Sequence, residues 1–192
     1  MKPLLKLACL CFASAGMAFG QTTTTITFDD LPVGTDYGGD VPYDAPIPNG
    51  YAGFQWNNFW VDTALVMGGG DMHGMVSAPN VAFNAYGFPA SFTGGPFNLN
   101  SAYLMAAWVN GLQVEVQGFV GTKLTYDNTY TVNMTGSTLI NFNYVGVDEV
   151  NFNSHGNPFG MDNLTVTEVP EPSLLALVSL SAAVLMLWHR RK

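Results

Sequence analysis

The 192-residue chain carries 6 basic residues against 14 acidic ones, a formal net charge of −8 at pH 7. Five of the basic residues lie in the two terminal segments, so residues 21–168 contain a single one, Lys123. Because phosphate groups are contacted mainly by Lys and Arg, the composition excludes nucleic acid as a partner of this region.

The first twenty residues have the pattern of a secretory signal peptide. A basic start is followed by the apolar residues 7–19, and Ala18 and Gly20 are small residues at the positions that a signal peptidase reads. We therefore expect signal peptidase to remove residues 1–20 during export. The alternative is an N-terminal anchor that stays uncleaved. Both cysteines of the chain fall in this segment, so the exported domain has no disulfide framework and no thiol chemistry.

Residues 21–168 favour a single all-β domain. Alternation of apolar and polar residues predicts half-buried strands. The alternating segments are residues 25–28, 112–117, 130–134, 140–144, 150–153 and 164–166. Turns rich in Gly, Asn and Pro separate them, and no helical periodicity occurs before Leu174. Many short strands with such turns are typical of an antiparallel β-sandwich or barrel.

Three segments of this domain carry a resemblance. Residues 47–59, 76–87 and 159–164 resemble a widespread family of secreted bacterial and fungal domains. The resemblance implies a jelly-roll β-sandwich of the galactose-binding type, in which the first and last strands pair. We therefore expect the ectodomain, residues 21–168, to adopt an antiparallel jelly-roll fold.

No catalytic motif is present in this domain. His73 and His155 lie in Gly-rich loops, and the metalloprotease, nucleophile-elbow and Cys/His patterns are missing. Asp71 and His73 form one candidate metal-binding or catalytic pair, and the alternative is that they are ordinary loop residues. Glycoside hydrolysis needs two positioned carboxylates, and nothing selects two among the scattered acids Asp62, Asp71, Glu115, Asp148 and Glu149. A secreted hydrolase acting on polysaccharide is therefore the alternative hypothesis to a non-catalytic protein.

Four oxygen-bearing side chains flank the first and last predicted strands. Asp29 and Asp30 follow the first strand, and Asp162 and Asn163 begin the last one. Ca²⁺ takes about 6–8 oxygen ligands from carboxylates and carbonyls. If the two strands pair, these residues form a candidate calcium site. The alternative is that they only stabilise turns.

Aromatic rings and amides lie close together in residues 54–60. Flat rings stack on sugars and amides bind hydroxyl groups, so this combination suits carbohydrate. Alternation places Phe54 and Trp56 on one face, and a kink at residues 57–58 separates them from Phe59. The candidate ligand-binding residues are Trp56, Trp60, Asp71, His73 and Tyr86. The alternative is that most of the aromatics fill a core that no disulfide supports.

The C-terminal segment, residues 169–192, combines a motif, an apolar stretch and a basic end. The motif is Val169, Pro170, Glu171 and Pro172, and its prolines favour an extended linker after the last strand. Residues 173–188 predict a transmembrane helix at the short end of what a bilayer core of roughly 30 Å requires. A basic cluster favours the cytoplasmic side, which makes a membrane stop of Arg190, Arg191 and Lys192.

This segment resembles the PEP-CTERM sorting signal, which is also labelled as the C-terminal domain of ice-binding proteins. The resemblance implies an inner-membrane-anchored precursor in a Gram-negative bacterium, commonly one that makes exopolysaccharide. It also implies processing by an exosortase-type membrane protease and delivery to the cell surface or extracellular matrix. A plain membrane anchor is the alternative. Ice binding needs a regular Thr-rich face, whereas residues 22–25 form a single Thr run.

Together these features predict an exported, non-catalytic surface or matrix protein with carbohydrate binding as its candidate activity. Exopolysaccharide is the candidate partner, and calcium the candidate cofactor.

Overall fold

The computed structural model describes residues 20–34 and 42–169. The predicted signal peptide, apart from Gly20, and the predicted sorting tail, apart from Val169, lie outside these ranges. Within these two ranges, no helix has the length and apolar character needed to cross a membrane. The predicted transmembrane helix at residues 173–188 lies outside the described residues.

Strands account for most of the described chain. In order they are β1 (Thr23–Ile26), β2 (Asp44–Pro46), β3 (Gln55–Asn57), β4 (Phe59–Thr63), β5 (Asn80–Asn84), β6 (Ala90–Ala106), β7 (Leu112–Val120), β8 (Lys123–Val132), β9 (Thr138–Asn153) and β10 (Phe159–Glu168). Two short helices, α1 (Ala64–Met67) and α2 (Gly69–Gly74), lie between β4 and β5. The paired strands run antiparallel, which confirms the predicted all-β class.

The hydrogen-bonded strand order is β2-β4-β5-β10-β6-β9-β7-β8, with β1 beside β10 and β3 beside β6. Register shifts interrupt the long strands β6, β9 and β10. The first part of β6, residues 90–93, pairs with β3 and with the end of β9, whereas its later part pairs with β10 and the start of β9. Long strands therefore contribute to both layers of a β-sandwich, since bulges let a strand bend.

The first and last strands pair, as the family resemblance implies. Thr23 lies opposite Thr167, and Ile26 lies opposite Leu164. The hydroxyl groups of Thr23 and Thr167 are 2.8 Å apart, within hydrogen-bonding distance. The two ends of the domain are thereby joined along one strand pair.

Aromatic side chains fill the space between the layers. Phe59, Phe92, Phe152 and Phe159 are at most 1% exposed. Their rings pack edge to face or stacked, for example Phe59 and Phe152 with centroids 5.6 Å apart, as aromatic pairs prefer. A domain without disulfides thus obtains its stability from a dense aromatic core.

Two short helices depart from the sequence prediction. No helical periodicity is present at residues 64–74, and α2 has the sequence Gly-Gly-Asp-Met-His-Gly, which has poor intrinsic helix propensity. Its glycines permit close packing instead. A Cβ on Gly70 would lie 1.7 Å from the carbonyl oxygen of Ala106, so α2 lies directly on β6.

Candidate functional site

A row of polar side chains crosses five neighbouring strands. Directly opposed residues on paired strands point to the same face of a sheet. The inward neighbours Val116, Val150 and Phe152 are fully buried, so these opposed residues lie on the outer face. We call them the polar row, which runs Asn57 (β3), Ser91 (β6), Asn151 (β9), Gln117 (β7) and Asp127 (β8).

A shallow depression of ≈ 210 Å³ lies over the polar row. Glu115 and Asn153, which oppose each other on β7 and β9, extend its polar surface. Its lining consists of Asn57, Pro89, Ala90, Ser91, Glu115, Gln117, Asn151, Phe152 and Asn153. The amides, hydroxyl and carboxylate of this lining supply hydrogen-bond donors and acceptors close together.

The polar groups of the depression are oriented but have unused hydrogen-bonding capacity. The Gln117 side-chain amide donates to Glu115 Oε1 at 3.2 Å. The backbone N–H of His155 donates to Asn153 Oδ1 at 3.1 Å. The side chain of Asn151 has no hydrogen-bond partner within residues 20–34 and 42–169. Its donor and acceptor atoms are therefore available to a ligand at the centre of the row.

An aromatic cluster, formed by the exposed Tyr86 and Phe88 and the half-buried Trp60, leads into this depression. Tyr86 is 74% exposed and Phe88 62% exposed. The Trp60 and Tyr86 ring centroids are 6.2 Å apart, and those of Tyr86 and Phe88 are 6.4 Å apart. Phe88 directly precedes Pro89, which lines the depression. Two exposed rings therefore lie in the loop that leads directly into the depression.

The loop that carries Tyr86 and Phe88 is held by side-chain amides. Asn58 Nδ2 lies 3.2–3.3 Å from the carbonyl oxygens of Ala85, Phe88 and Pro89. Asn84 Nδ2 donates to the carbonyl oxygen of Phe88 at 2.9 Å. These bonds fix the backbone of the loop. The defined loop conformation therefore keeps the Tyr86 and Phe88 rings exposed to solvent.

Trp56 lies in the core and not on a ligand-binding surface. It is 6% exposed, its ring centroid is 5.1 Å from that of Phe92, and its indole Nε1 donates to the carbonyl oxygen of Tyr51. Asn58 has a φ of 55°, and this kink turns Phe59 inward as well. The core alternative therefore applies to Trp56, whereas Tyr86 is exposed and Trp60 is half-buried.

Asp71 and His73 do not come together. Both lie on α2, where Asp71 is 2% exposed and His73 points to solvent. Burial raises the pKa of Asp71 to about 7. Two residues apart on a helix, side chains do not face each other, so this candidate pair does not form a joint site.

The four residues of the predicted calcium site support loops. Asp162 Oδ2 accepts the backbone N–H groups of Val76 and Ser77 at 2.6 and 2.8 Å. Burial raises the pKa of Asp162, and these N–H groups oppose that shift. Asp29 Oδ1 accepts the backbone N–H of Asn80.

The other two predicted ligands are also hydrogen-bonded. The hydroxyl of Tyr51 donates to Asp30 Oδ1 at 2.6 Å, and Ser77 Oγ donates to Asn163 Oδ1 at 3.0 Å. Across the described ranges, no three His, Cys, Asp or Glu side chains are grouped as a metal site. Calcium binding at these four residues stays a prediction.

The polar row was not predicted as a site. The sequence shows Asn151 and Asn153 alternating with buried residues, and Glu115 and Gln117 doing the same. That alternation predicts an outward-facing polar side but does not reveal which strands are neighbours. Only the strand register, in which Ser91 and Gln117 both lie beside Asn151, brings the row together.

No family model matches the chain, and no curated protein matches it. Among solved structures, one similar chain is that of the carbohydrate-binding module TmCBM61 in complex with beta-1,4-galactotriose. The sequence identity is 10% and the TM-score 0.33, with 64% of this chain and 95% of that chain covered. A similarity at this score assigns neither fold nor ligand, so both are argued from the residues of the chain itself.

Proposed function

We propose that this chain is an exported, non-catalytic surface or matrix protein that binds neutral carbohydrate at the depression over the polar row. The observation that carries the proposal is the aromatic cluster that leads into a surface of amides and hydroxyls. Sugars present apolar C–H faces and polar hydroxyl edges, and this site offers a partner for each. The pairing of β1 with β10 supports a jelly-roll arrangement of the domain.

The charge of the site favours neutral sugars over acidic ones. Glu115 lines the depression and Asp127 ends the polar row, whereas the only Lys or Arg in residues 21–168 is Lys123. A uronate or phosphate group bound there would face like charge without a compensating cation. We therefore propose a neutral polysaccharide, such as a neutral exopolysaccharide, as the ligand class.

The proposal that the protein is non-catalytic rests on the positions of its acidic side chains. Glycosidases generally use two carboxylates that flank the scissile bond, about 5–10 Å apart. Among the residues that line the depression, Glu115 is the one acid. Asp62 and Asp71 are buried between α2 and the sheet and do not line the depression. The hydrolase hypothesis therefore gains no support from this site.

We also propose that the C-terminal segment sorts the protein to the cell surface through an exosortase. The motif and the basic end described above support this, and β10 ends at Glu168, immediately before the motif. Replacing Pro170 and Glu171 by alanine in a host with an exosortase is expected to leave the protein in the inner membrane. Normal delivery of that variant would contradict the sorting proposal.

A panel of immobilised polysaccharides tests ligand class and catalysis together. The full chain is expected to bind at least one neutral polymer, such as a glucan, galactan or mannan, and no uronic acid polymer. Glu115→Gln is expected to retain binding, and neither protein is expected to release reducing ends. Binding confined to acidic polymers, or reducing ends lost on Glu115→Gln, would contradict the proposal.

A further inference from the structure

Two buried carboxylates meet on the face of the sheet that α2 covers. Asp62 in β4 lies opposite Val81 in β5, so both side chains point to that face. Val81 packs with Ala64 of α1 in a small apolar cluster there. Asp71 enters from α2, and its Oδ1 is 2.5 Å from where a Cβ on Gly160 would lie. The two acids are therefore enclosed between α2 and the sheet.

Most oxygens of these carboxylates lack a hydrogen-bond partner among the described residues. Asp62 is 0% and Asp71 2% exposed. Both side-chain oxygens of Asp62 and Oδ1 of Asp71 have no hydrogen-bond partner in residues 20–34 and 42–169. Burying an unpaired carboxylate is strongly unfavourable. Burial, followed by the negative charges of Asp71 and Asp44, raises the pKa of Asp62 to about 8.

Within the part of the chain that the structure describes, no basic side chain is placed to neutralise this pair. The only Lys or Arg in residues 21–168 is Lys123, which begins β8, a strand at the far end of the sheet order from β4. His73 points to solvent from the opposite side of α2. Asp44, directly opposite Asp62 on β2, adds a third negative charge. The missing positive charge must therefore come from solution, as a proton or as a metal cation.

The geometry disfavours a proton. A proton would neutralise one carboxylate but supply a donor to few of the buried oxygens, whereas both oxygens of Asp62 and Oδ1 of Asp71 lack a hydrogen-bond partner among the described residues. A cation between the two carboxylates would contact oxygens of both. Oxygens that bind one Ca²⁺ at about 2.4 Å lie up to ~5 Å from each other, so carboxylates that bridge a cation need not be within hydrogen-bonding distance.

Helix α2 also has little intrinsic stability. Three of its six residues are glycine, and glycine costs about 1 kcal/mol relative to alanine in a helix. It has no side-chain N-cap. A helix with so little intrinsic stability nevertheless buries an unpaired acid. A cation between Asp71 and Asp62 would link α2 to β4 and remove both problems.

From these observations we infer that Asp62 and Asp71 bind one divalent cation of the oxygen-preferring class, such as Ca²⁺, between β4 and α2. Backbone carbonyls and water would complete the coordination that such an ion needs. This site is separate from the four residues that the sequence predicts for calcium, and it is separate from the carbohydrate site. Its role is structural, because it holds α2 on the sheet.

Calcium titration of the full chain tests this inference, with Asp62→Asn and Asp71→Asn as variants and Asp30→Asn as the matched control. We expect one Ca²⁺ per chain by calorimetry, and a melting midpoint about 5 °C higher in Ca²⁺ than in EDTA. Both site variants should lose binding and the Ca²⁺-dependent shift. They should still fold, because each amide removes a buried charge, and should melt in EDTA no lower than the wild type.

Three results would overturn the inference. The first is a wild-type chain whose melting and heat signal do not respond to Ca²⁺. The second is Ca²⁺ binding that Asp62→Asn and Asp71→Asn both retain. The third is loss of binding in Asp30→Asn with retention in the other two variants, which would place the ion at the site that the sequence predicts.

Discussion

Tyr86 has a backbone conformation that aromatic residues seldom adopt. Its φ and ψ are 58° and 15°, in the left-handed region that costs a non-glycine residue about 1–2 kcal/mol. Such strain persists where surrounding contacts determine it, and it concentrates at functional sites. Here the amides of Asn58 and Asn84 hold the loop. The strained backbone directs the Tyr86 ring to solvent, where it can meet a sugar.

We expect Tyr86→Ala to lower the affinity for a neutral polysaccharide about tenfold, which corresponds to ~1.4 kcal/mol. The loss arises because the ring face is removed while the polar row is unchanged. Since Tyr86 is mostly exposed, the melting midpoint should change little. Leu65→Ala is the control, because Leu65 is a comparably exposed apolar residue, at 58%, on α1. Equal affinity losses in both variants would contradict a specific role for Tyr86.

At the level of elements, α2 is positioned by glycines rather than by side chains. Cβ atoms at Gly70 and Gly74 would lie 1.7 Å from the Ala106 carbonyl oxygen and 2.7 Å from Met105 side-chain atoms. The backbone N–H of Gly70 donates to the carbonyl oxygen of Ala107 at 2.9 Å. The helix can therefore approach β6 only because these positions lack side chains.

Gly70→Ala is expected to destabilise the domain by ~3 kcal/mol, because an added methyl group would collide with fixed backbone. The gain of about 1 kcal/mol in helix propensity is too small to offset the collision. Denaturant unfolding of the variant measures the difference. Gly95→Ala is the control, because nothing lies within 4 Å of a Cβ there. Equal stability of Gly70→Ala and the wild type would mean that α2 does not pack on β6 as described.

Sequence periodicity predicts the strands well but not their neighbours. Residues 112–117 and 150–153 alternate and form β7 and β9, because one side of each strand faces the core. The polar row depends on contacts between strands distant in the chain, such as Ser91 with Asn151, which no local pattern encodes. Helix α2 escapes prediction because tertiary packing overrides the low helix propensity of its glycines.

The candidate site residues also differ in how far the sequence predicts their environment. Exposure of Tyr86 could be expected from its place in a turn, but burial of Trp56 depends on ring contacts with Phe54 and Phe92. Asp62 carries no signal in the sequence beyond being an acid in an apolar strand. Its unpaired state appears only when Asp71 from α2 and Asp44 from β2 are placed beside it.

In the molecule as a whole, the two outer faces of the sandwich have different roles. Helices cover the face over β4, β5 and β10, where the proposed cation would stabilise the domain. The face over β3, β6, β9 and β7 is open and polar, and a loop with two exposed aromatic rings leads into it. The acidic charge of the domain, with Lys123 as its one Lys or Arg, is the reason that we propose a neutral ligand for the open face.

Binding of the full chain to a neutral polysaccharide, compared between Asn151→Ala and Asn141→Ala by affinity electrophoresis, tests the central claim most directly. Both asparagines lie outward on β9, but only Asn151 belongs to the polar row, whereas Asn141 lies opposite Ser101. The proposed binding site at the polar row predicts retardation of the wild type and of Asn141→Ala, and an affinity at least about tenfold lower for Asn151→Ala. Undiminished retardation of Asn151→Ala, or no retardation of the wild type by any neutral polymer, would contradict it.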